Sequence, residues 1–491
     1  MSNALLVPEV LLEIFAHVND TESCSTLISS QKHLAALAET CKAFYEPAME
    51  FLWAEINELE PLLGCVTRLH PLVYRSGIEW DQPWAKDLEP LSAHEIRQFL
   101  RHSARIRTLS IGPDYPFHLL SIILESCVLP RLKSLTLSIK YLDLFLPHTL
   151  HRCHLLTVNG GLRSVVTRCA TLEHLSIYTP ASSVDESTAD ELSLLSDKIS
   201  QCTQLVTLHC PMLNWAAWMH LSYLPTLLSV QIEQGYNDHH YLPLEQDIVN
   251  FSPFLNITNL FFELYSATHL ITLMQHSQFP SLKDFVVAVT VLHPGEAEQL
   301  FSMLTHLKAC QTLETITICS YNDVLHDSDI SVEAIPHLLC FKKLRILQLK
   351  FSNACICLDD DILVEAMTAW SHLSVLEIRD SCLHPSPVTL HKLFATLHLC
   401  PQLENLRIAV DTTIIDIDPD DDPTYQHPIL HGLELRTSEP QIENAETLAL
   451  IIFTWLPHVD QVKGDSELWG EVNMHLTNLS VALSEECSMQ V

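Results

Sequence analysis

The chain has 491 residues, 47% of them hydrophobic, and carries 60 acidic against 27 basic residues for a formal net charge of −33. That apolar content supports a large core, and the deficit of Lys and Arg makes nucleic acid or an anionic membrane surface a poor partner, because phosphate recognition needs clustered cations. Only 10 glycines occur, about 2% of the chain, which leaves little material for phosphate-cradling loops.

The first predicted element is a helix opening at Pro8, whose missing N–H has no intrahelical partner at that position anyway. Val10, Leu11, Ile14, Phe15 and Val18 give it an apolar face, and Asn19 and Asp20 stop it. A second helical pattern places Leu34, Leu37, Ala38, Cys41 and Phe44 on one stripe. Pro47 is expected to break it before a third short segment with Phe51, Leu52 and Trp53. Three helices in under fifty residues do not bury that much apolar surface alone, so they read as a docking unit without catalytic groups.

Together VPEVLLEIF, LAETCKAFYEPA and the terminal LW resemble the F-box, in the order and approximate spacing used by the large F-box families of mushroom-forming fungi. The resemblance implies a three-helix domain over residues 1–60 that packs on the adaptor subunit of an SCF-type ubiquitin ligase, and through it on a cullin. Carried over position by position, it makes Pro8, Leu11, Ile14 and Phe15 interface anchors, with Leu37, Cys41, Phe44 and Trp53 around them.

Residues 61–99 read as a connector rich in Pro and Trp, including Trp80, Pro83, Trp84 and Pro90. From about residue 100 a phrase L-x-x-L-x-L recurs. It appears at Ile106-Leu109-Ile111, Leu132-Leu135-Leu137, Leu172-Leu175-Ile177, Leu205-Leu208-Cys210, Leu227-Val230-Ile232, Ile257-Leu260-Phe262 and Leu282-Phe285-Val287. It continues at Leu313-Ile316-Ile318, Leu344-Leu347-Leu349, Leu373-Leu376-Ile378, Leu403-Leu406-Ile408 and Leu430-Leu433-Leu435, then weakens at Val459 and Val462. Successive starts lie about 22 to 40 residues apart, in or just above the range of leucine-rich repeats. The phrase turns alternate side chains of a short strand inward, and stretches such as Leu300, Phe301, Leu304 and Leu307 supply a covering helix. The expected fold is therefore α/β: an N-terminal three-helix F-box followed by a leucine-rich-repeat solenoid of twelve or thirteen units over residues 100–480, with a tail at 481–491. The array resembles the divergent leucine-rich repeats that follow many F-boxes.

Candidate chemistry is sparse. No Walker A, GxGxxG, GxSxG or HExxH phrase is present, so the chain reads as a non-enzyme without a cofactor. His148, His151, Cys153 and His154 are the densest possible metal ligands, but their spacing matches no recognised zinc motif. Asp416, Asp418 and Asp420 begin like a calcium loop, yet Asp421 and His427 stand where Gly and Glu are needed. Asp359 to Asp361 precede a helix, where negative charge is favoured. The sixteen cysteines are scattered through apolar repeat positions, no leader precedes them, and no apolar run reaches the roughly 20 residues of a membrane span. A cytoplasmic or nuclear protein with reduced cysteines is expected.

The functional expectation is a substrate-recognition adapter of an SCF-type ubiquitin ligase, the helices joining the ligase and the repeats holding a target protein. The alternatives are a ligase-independent binding scaffold and, more distantly, an enzyme whose site is assembled from several repeats. Residues between the inward positions, namely Arg107, Lys133, Glu173, Glu314, Arg345, Glu377 and Arg407, are candidates for target contact, and their mixed signs name no target. The acidic balance mainly confers solubility and favours a basic partner.

Overall fold

The computed structural model describes residues 7–19, 24–74, 89–112, 129–137, 145, 147, 149–155, 171–178, 188–233, 251–321, 331–352, 354–380, 386–415, 417, 425–436, 444–464 and 468–489. They form two compact units, Met1–Ala217 and Trp218–Val491.

The first unit opens with three helices, α1 (Pro8–Asn19), α2 (Cys24–Thr40) and α3 (Lys42–Leu52). Leu11 and Phe15 of α1 meet Leu34 of α2 in a small core, with Val18, Leu37, Phe44, Phe51 and Leu52 around it. The Phe15 and Phe44 rings pack edge to face at 5.6 Å. The expected break at Pro47 does not occur. The chain turns at Cys41, whose extended backbone (φ −160°, ψ 162°) separates α2 from α3, and Pro47 lies buried inside α3. A proline there forfeits one helical hydrogen bond, a loss the surrounding packing tolerates.

Directly after α3 the chain enters strand β1 (Glu55–Asn57), inside the first sixty residues. β1 pairs in parallel with β2 (Thr108–Ser110), and β3 (Ser134–Leu137), β4 (Arg152–Leu155), β5 (His174–Ile177) and β6 (Thr207–Cys210) follow in chain order. Between β1 and β2 lie the short helices Glu60–Gly64, His70–Val73 and Ala93–Phe99. The last is closed by a capping box in which Ser92 and Glu95 exchange hydrogen bonds. Trp80, Pro83 and Trp84 lie outside the described residues.

The second unit continues the pattern with β7 (Ser229–Glu233), β8 (Asn259–Leu264), β9 (Asp284–Val289), β10 (Thr315–Ser320), β12 (Ile346–Phe351), β14 (Val375–Arg379), β15 (Asn405–Ala409), β16 (Gly432–Arg436) and β17 (Val462–Lys463), each parallel to the next. β11 (Ser331–Val332) and β13 (Cys355–Ile356) form a separate parallel pair. Parallel neighbours require a crossover, and helices supply several: Thr268–Gln275, Pro294–His306, Asp360–Ala369, Leu390–Thr396 and Ala445–Trp455. Asp359 caps its helix by accepting from the Ile362 N–H at 2.8 Å, the role its position suggested. A long helix, Leu468–Met489, ends the described chain.

Every recurring phrase becomes a strand, and its apolar positions are buried, as at Leu347, Leu349, Leu376, Leu406 and Leu433. Two further strands of the same kind were not legible as repeats. In β4 the phrase reads Leu150-Cys153-Leu155, with a fully buried cysteine replacing the central leucine. In β1 the third apolar position is occupied by Glu58, whose positive φ of 71° turns the chain out of the strand. Setting aside the separate β11–β13 pair, the described residues hold fifteen such strands, against twelve or thirteen expected.

One carbonyl ahead of each strand does double duty. Arg107 O accepts from Lys133 N and Ser134 N, Glu314 O from Arg345 N and Ile346 N, and Arg345 O from Ser374 N and Val375 N. These linkages set the register of successive repeats, because each coil is tied to the next at its entry point. Along the strands inward residues are buried and outward ones are half-exposed. That alternation marks a parallel sheet with helices on one face and water on the other.

Candidate docking surfaces

Two surfaces emerge, one on the terminal helices and one on the open sheet. On the helices the structure sorts the eight expected adaptor contacts into different environments. Pro8 opens α1. Leu11 and Phe15 are buried in the helical core, and Leu37 and Phe44 are half-buried against them, so their side chains already have partners within this chain. Leu11 and Phe15, expected as adaptor-interface anchors, thus lie in the helical core of the free chain. Ile14 and Cys41 are exposed. Trp53 turns toward the repeats and stacks on His102, with ring centroids 4.2 Å apart and planes 16° from parallel.

What remains open on α1 is a second apolar stripe. Val7, Val10 and Ile14, spaced by three and four residues, lie alongside the buried stripe of Leu11, Phe15 and Val18, and all three are about 40% exposed. Leu12, on the far flank of α1, and Tyr45 of α3 are exposed as well. The apolar side chains of α1 therefore span more of its circumference than α2 and α3 cover. Fifteen large apolar residues are notably exposed among the described residues, and five of them fall between positions 7 and 45, which concentrates the exposure on this unit. Sequence periodicity identified the apolar face of α1 but not which half of it faces inward.

The helices are fixed to the first repeats by charge as well as stacking. Glu46 pairs with Arg105 at 2.5 Å, and Glu50 lies 3.8, 3.4 and 3.6 Å from Arg105, Arg107 and Arg131. Arg107, expected to face a target, spends its charge here. Burial, reinforced by the positive charges of Arg105 and Arg101, holds the His102 imidazole down at about 4. In the same unit the Glu60 carboxyl is pushed up to about 7, first by burial and also by the charge of Glu58.

The seven candidate target residues separate by register. Arg107, Lys133, Glu173, Glu314 and Arg345 sit one residue ahead of their strands, at the double-accepting carbonyls. Glu377 and Arg407 instead point outward from mid-strand, in one cross-strand row that runs Thr317, Gln348, Glu377, Arg407, Glu434, Lys463. Glu377 is the hub. Gln348 Nε2, Lys350 Nζ and Arg379 Nε each donate to it at 2.9 Å, and Arg407 Nη1 reaches it at 3.5 Å. Arg407 also pairs with Glu434 on the next strand. Beside this row lies an open cleft of about 740 Å³. Its floor depends on Gly432, where a Cβ would sit 2.0 Å from Asn405 Oδ1.

The histidine and cysteine cluster is a strand of the sheet. Cys153 of β4 is fully buried, while His154 beside it and His151, one residue ahead of the strand, are half-exposed; His148 lies outside the described residues. Strand alternation turns Cys153 and His154 to opposite faces, and among the described residues no group of three His, Cys, Asp or Glu side chains is placed to hold a metal ion. Asp416, Asp418, Asp420 and Asp421 lie outside the described residues. His427 is buried, with Nε2 3.0 Å from Cys400 O and Nδ1 accepting from Leu430 N, so it ties two repeats together. Among the described residues no helix is long and apolar enough to cross a membrane.

No protein-family model matches the chain, and no curated protein matches its sequence. Among solved structures it is similar to the complex of Rad7 and Elc1 in yeast, at 15% identity over 94% of this chain and 89% of that one, with a TM-score of 0.35. It is also similar to the leucine-rich repeat-containing protein LegL7 from Legionella pneumophila, at 11% identity over 74% of this chain and 97% of that one, with a TM-score of 0.27. Both TM-scores fall below 0.5, so the repeat architecture rests on the strand pairings themselves. Those pairings define a class: a protein of parallel β–α repeats, preceded by a small helical unit with an uncovered apolar stripe.

Proposed function

We propose that this chain is a non-catalytic recognition subunit, in which the N-terminal helices dock on the adaptor of an SCF-type ubiquitin ligase and the repeats hold a target protein. The observation that carries the reading is the uncovered stripe Val7, Val10 and Ile14 on a helix already packed through its other apolar residues. A face of that composition is stabilised when a partner removes it from water, by about 25 cal/mol for each Å² buried. The resemblance of the same segment to the F-box supplies the kind of partner. The chain itself makes and breaks no bond; by holding a target beside a ubiquitin-loaded enzyme on the cullin scaffold it raises local concentration and fixes orientation.

Val10→Asp with Ile14→Asp tests the docking. Both positions are exposed in the free chain, so the variant folds, whereas the complex would bury two unpaired carboxylates at a cost of several kcal/mol. Co-expression with the adaptor should recover the complex from the parent chain and lose it from the variant. Equal recovery from both overturns the docking assignment. Proximity labelling with and without proteasome inhibition then reads the consequence: partners of a degradation adapter accumulate under inhibition, and those of a scaffold do not.

A further inference from the structure

The geometry points to an acidic protein segment as the occupant of the open sheet face at β12 to β17; this deepens the reading of the repeats as a target-holding surface and rests on it. Lys and Arg make up 27 of 491 residues, about one in eighteen, yet five of them, Lys350, Arg379, Arg407, Arg436 and Lys463, occupy outward positions on five successive neighbouring strands. Only two carboxylates, Glu377 and Glu434, share those outward rows. In a chain of net charge −33, those two rows thus hold more cations than carboxylates.

The pairing at the hub defines the surplus. Among the described residues Glu377 is the shared partner of Lys350, Arg379 and Arg407, and Arg407 pairs with Glu434 as well. Arg407 is drawn down between Glu377 and Glu434 and is only 15% exposed, while its buried Nε finds no acceptor. Lys350 and Arg379 are 32% and 44% exposed, so their remaining donors face solvent. Arg436 Nη1 donates to Asp380 O at 2.6 Å, reaching across β15. At the strand ends the Asp380 carboxylate accepts from Ile356 N and that of Asp411 from Thr413 N, bonds that orient these groups and leave their charge in place. Asp460, at the rim of the cleft, is the remaining acid there.

An incoming carboxylate at Lys350 and Arg379 would complete pairings that one glutamate leaves short, in the charge-assisted geometry that guanidinium favours. Distant negative charge does not forbid this, because at about 0.1 M salt the Debye length is about 10 Å. A peptide binds such a face in extended form, with side chains at alternate positions directed toward the row.

The experiment uses the full chain and a fluorescein-labelled decaglutamate peptide, read by fluorescence anisotropy at about 0.1 M salt. Expected are saturable binding, weakening as salt rises to about 0.5 M, and a loss of about tenfold or more in Lys350→Glu with Arg379→Glu, since each lost ion pair becomes a repulsion. Lys342→Glu with Lys343→Glu makes the same change in net charge beside the strand entry and should leave affinity within about twofold. Should the first variant fail to fold by circular dichroism, Lys350→Gln with Arg379→Gln takes its place with the same expected direction. Absence of decaglutamate binding, or equal loss in the two double variants, overturns the assignment. Labelled decalysine, attracted to the acidic remainder of the chain, should bind both variants alike; its loss in the first alone also overturns it. The peptide assay needs no adaptor, and Val10→Asp with Ile14→Asp should bind decaglutamate normally, so failure of ligase docking and failure of this face are read separately.

Discussion

Acid should loosen the seam between the terminal helices and the first repeats through His102, which is 7% exposed and stacked on Trp53. Arg105 Nη1 lies 3.2 Å from His102 Nδ1, and because guanidinium only donates, Nδ1 must be the unprotonated acceptor. Protonation would abolish that bond and set two cations together in a buried place. The folded pKa of about 4 lies below the ordinary value of 6.5, so the stabilising contribution is complete above about pH 6.5 and is lost as pH falls toward 4. At pH 5 the difference amounts to about 2 kcal/mol, or roughly thirtyfold in the opening equilibrium. Glu60 acts in the opposite sense: its raised pKa of about 7 means that acidification between about 7 and 4.5 favours the folded form. Comparison with His102→Phe removes that contribution, which both proteins share, and keeps an aromatic ring against Trp53. Hydrogen exchange, corrected for intrinsic rate, in peptides covering residues 42–58 and 99–110 reads the seam locally, which matters because a chain of this size does not unfold in two states. The parent should lose about thirtyfold more protection than His102→Phe between pH 7.5 and 5. Identical pH dependence in the two proteins would refute the reasoning.

Two further outcomes follow from buried groups in the repeats. Trp370 is fully buried and its Nε1 donates to Leu338 O at 3.2 Å, an acceptor it shares with Phe341 N at 3.1 Å, so Trp370→Phe should cost about 1–3 kcal/mol, seen as a lowered urea midpoint, from one lost buried hydrogen bond and the space the smaller ring leaves. A cost under about 0.5 kcal/mol would mean that the bond is dispensable. Burial pushes the Cys400 thiol up to about 12 and raises that of Cys210 as well, while Cys41 is exposed. Brief iodoacetamide treatment of the native chain at pH 8 should modify Cys41 and spare the other two by peptide mass spectrometry, and equal labelling would contradict their burial.

The repeats were legible because each strand demands apolar residues at fixed offsets, and leucine or isoleucine meets that demand most often. Where the demand was met otherwise, the signal vanished. Cys153 fills a leucine position in β4, and its histidine neighbours made the segment look like a ligand cluster. Glu58 ended β1 before the phrase was complete. In the helical unit, periodicity found the apolar side chains of α1 but not their division into buried and uncovered stripes, which depends on where α2 and α3 cross. Pro47 carries a strong local preference that packing overrides, and the actual break at Cys41 has no residue-level signature.

Net charge was the least instructive quantity for the binding face, for a geometric reason. Parallel pairing aligns one outward residue from each repeat into a row, so a site is composed of residues about thirty positions apart in sequence and adjacent across the sheet. Gln348, Glu377, Arg407 and Glu434 are separated along the chain by residues of unrelated charge, and summation over the chain erases them. The inward positions beside them are leucine or isoleucine at every step, and they hold the fold whatever the outward residue is. Substitution at an outward position therefore changes the exposed face at little cost to the core. On the proposed reading a target meets outward side chains gathered from several repeats, Lys350 and Arg379 among them, and the charge summed over the chain does not name it.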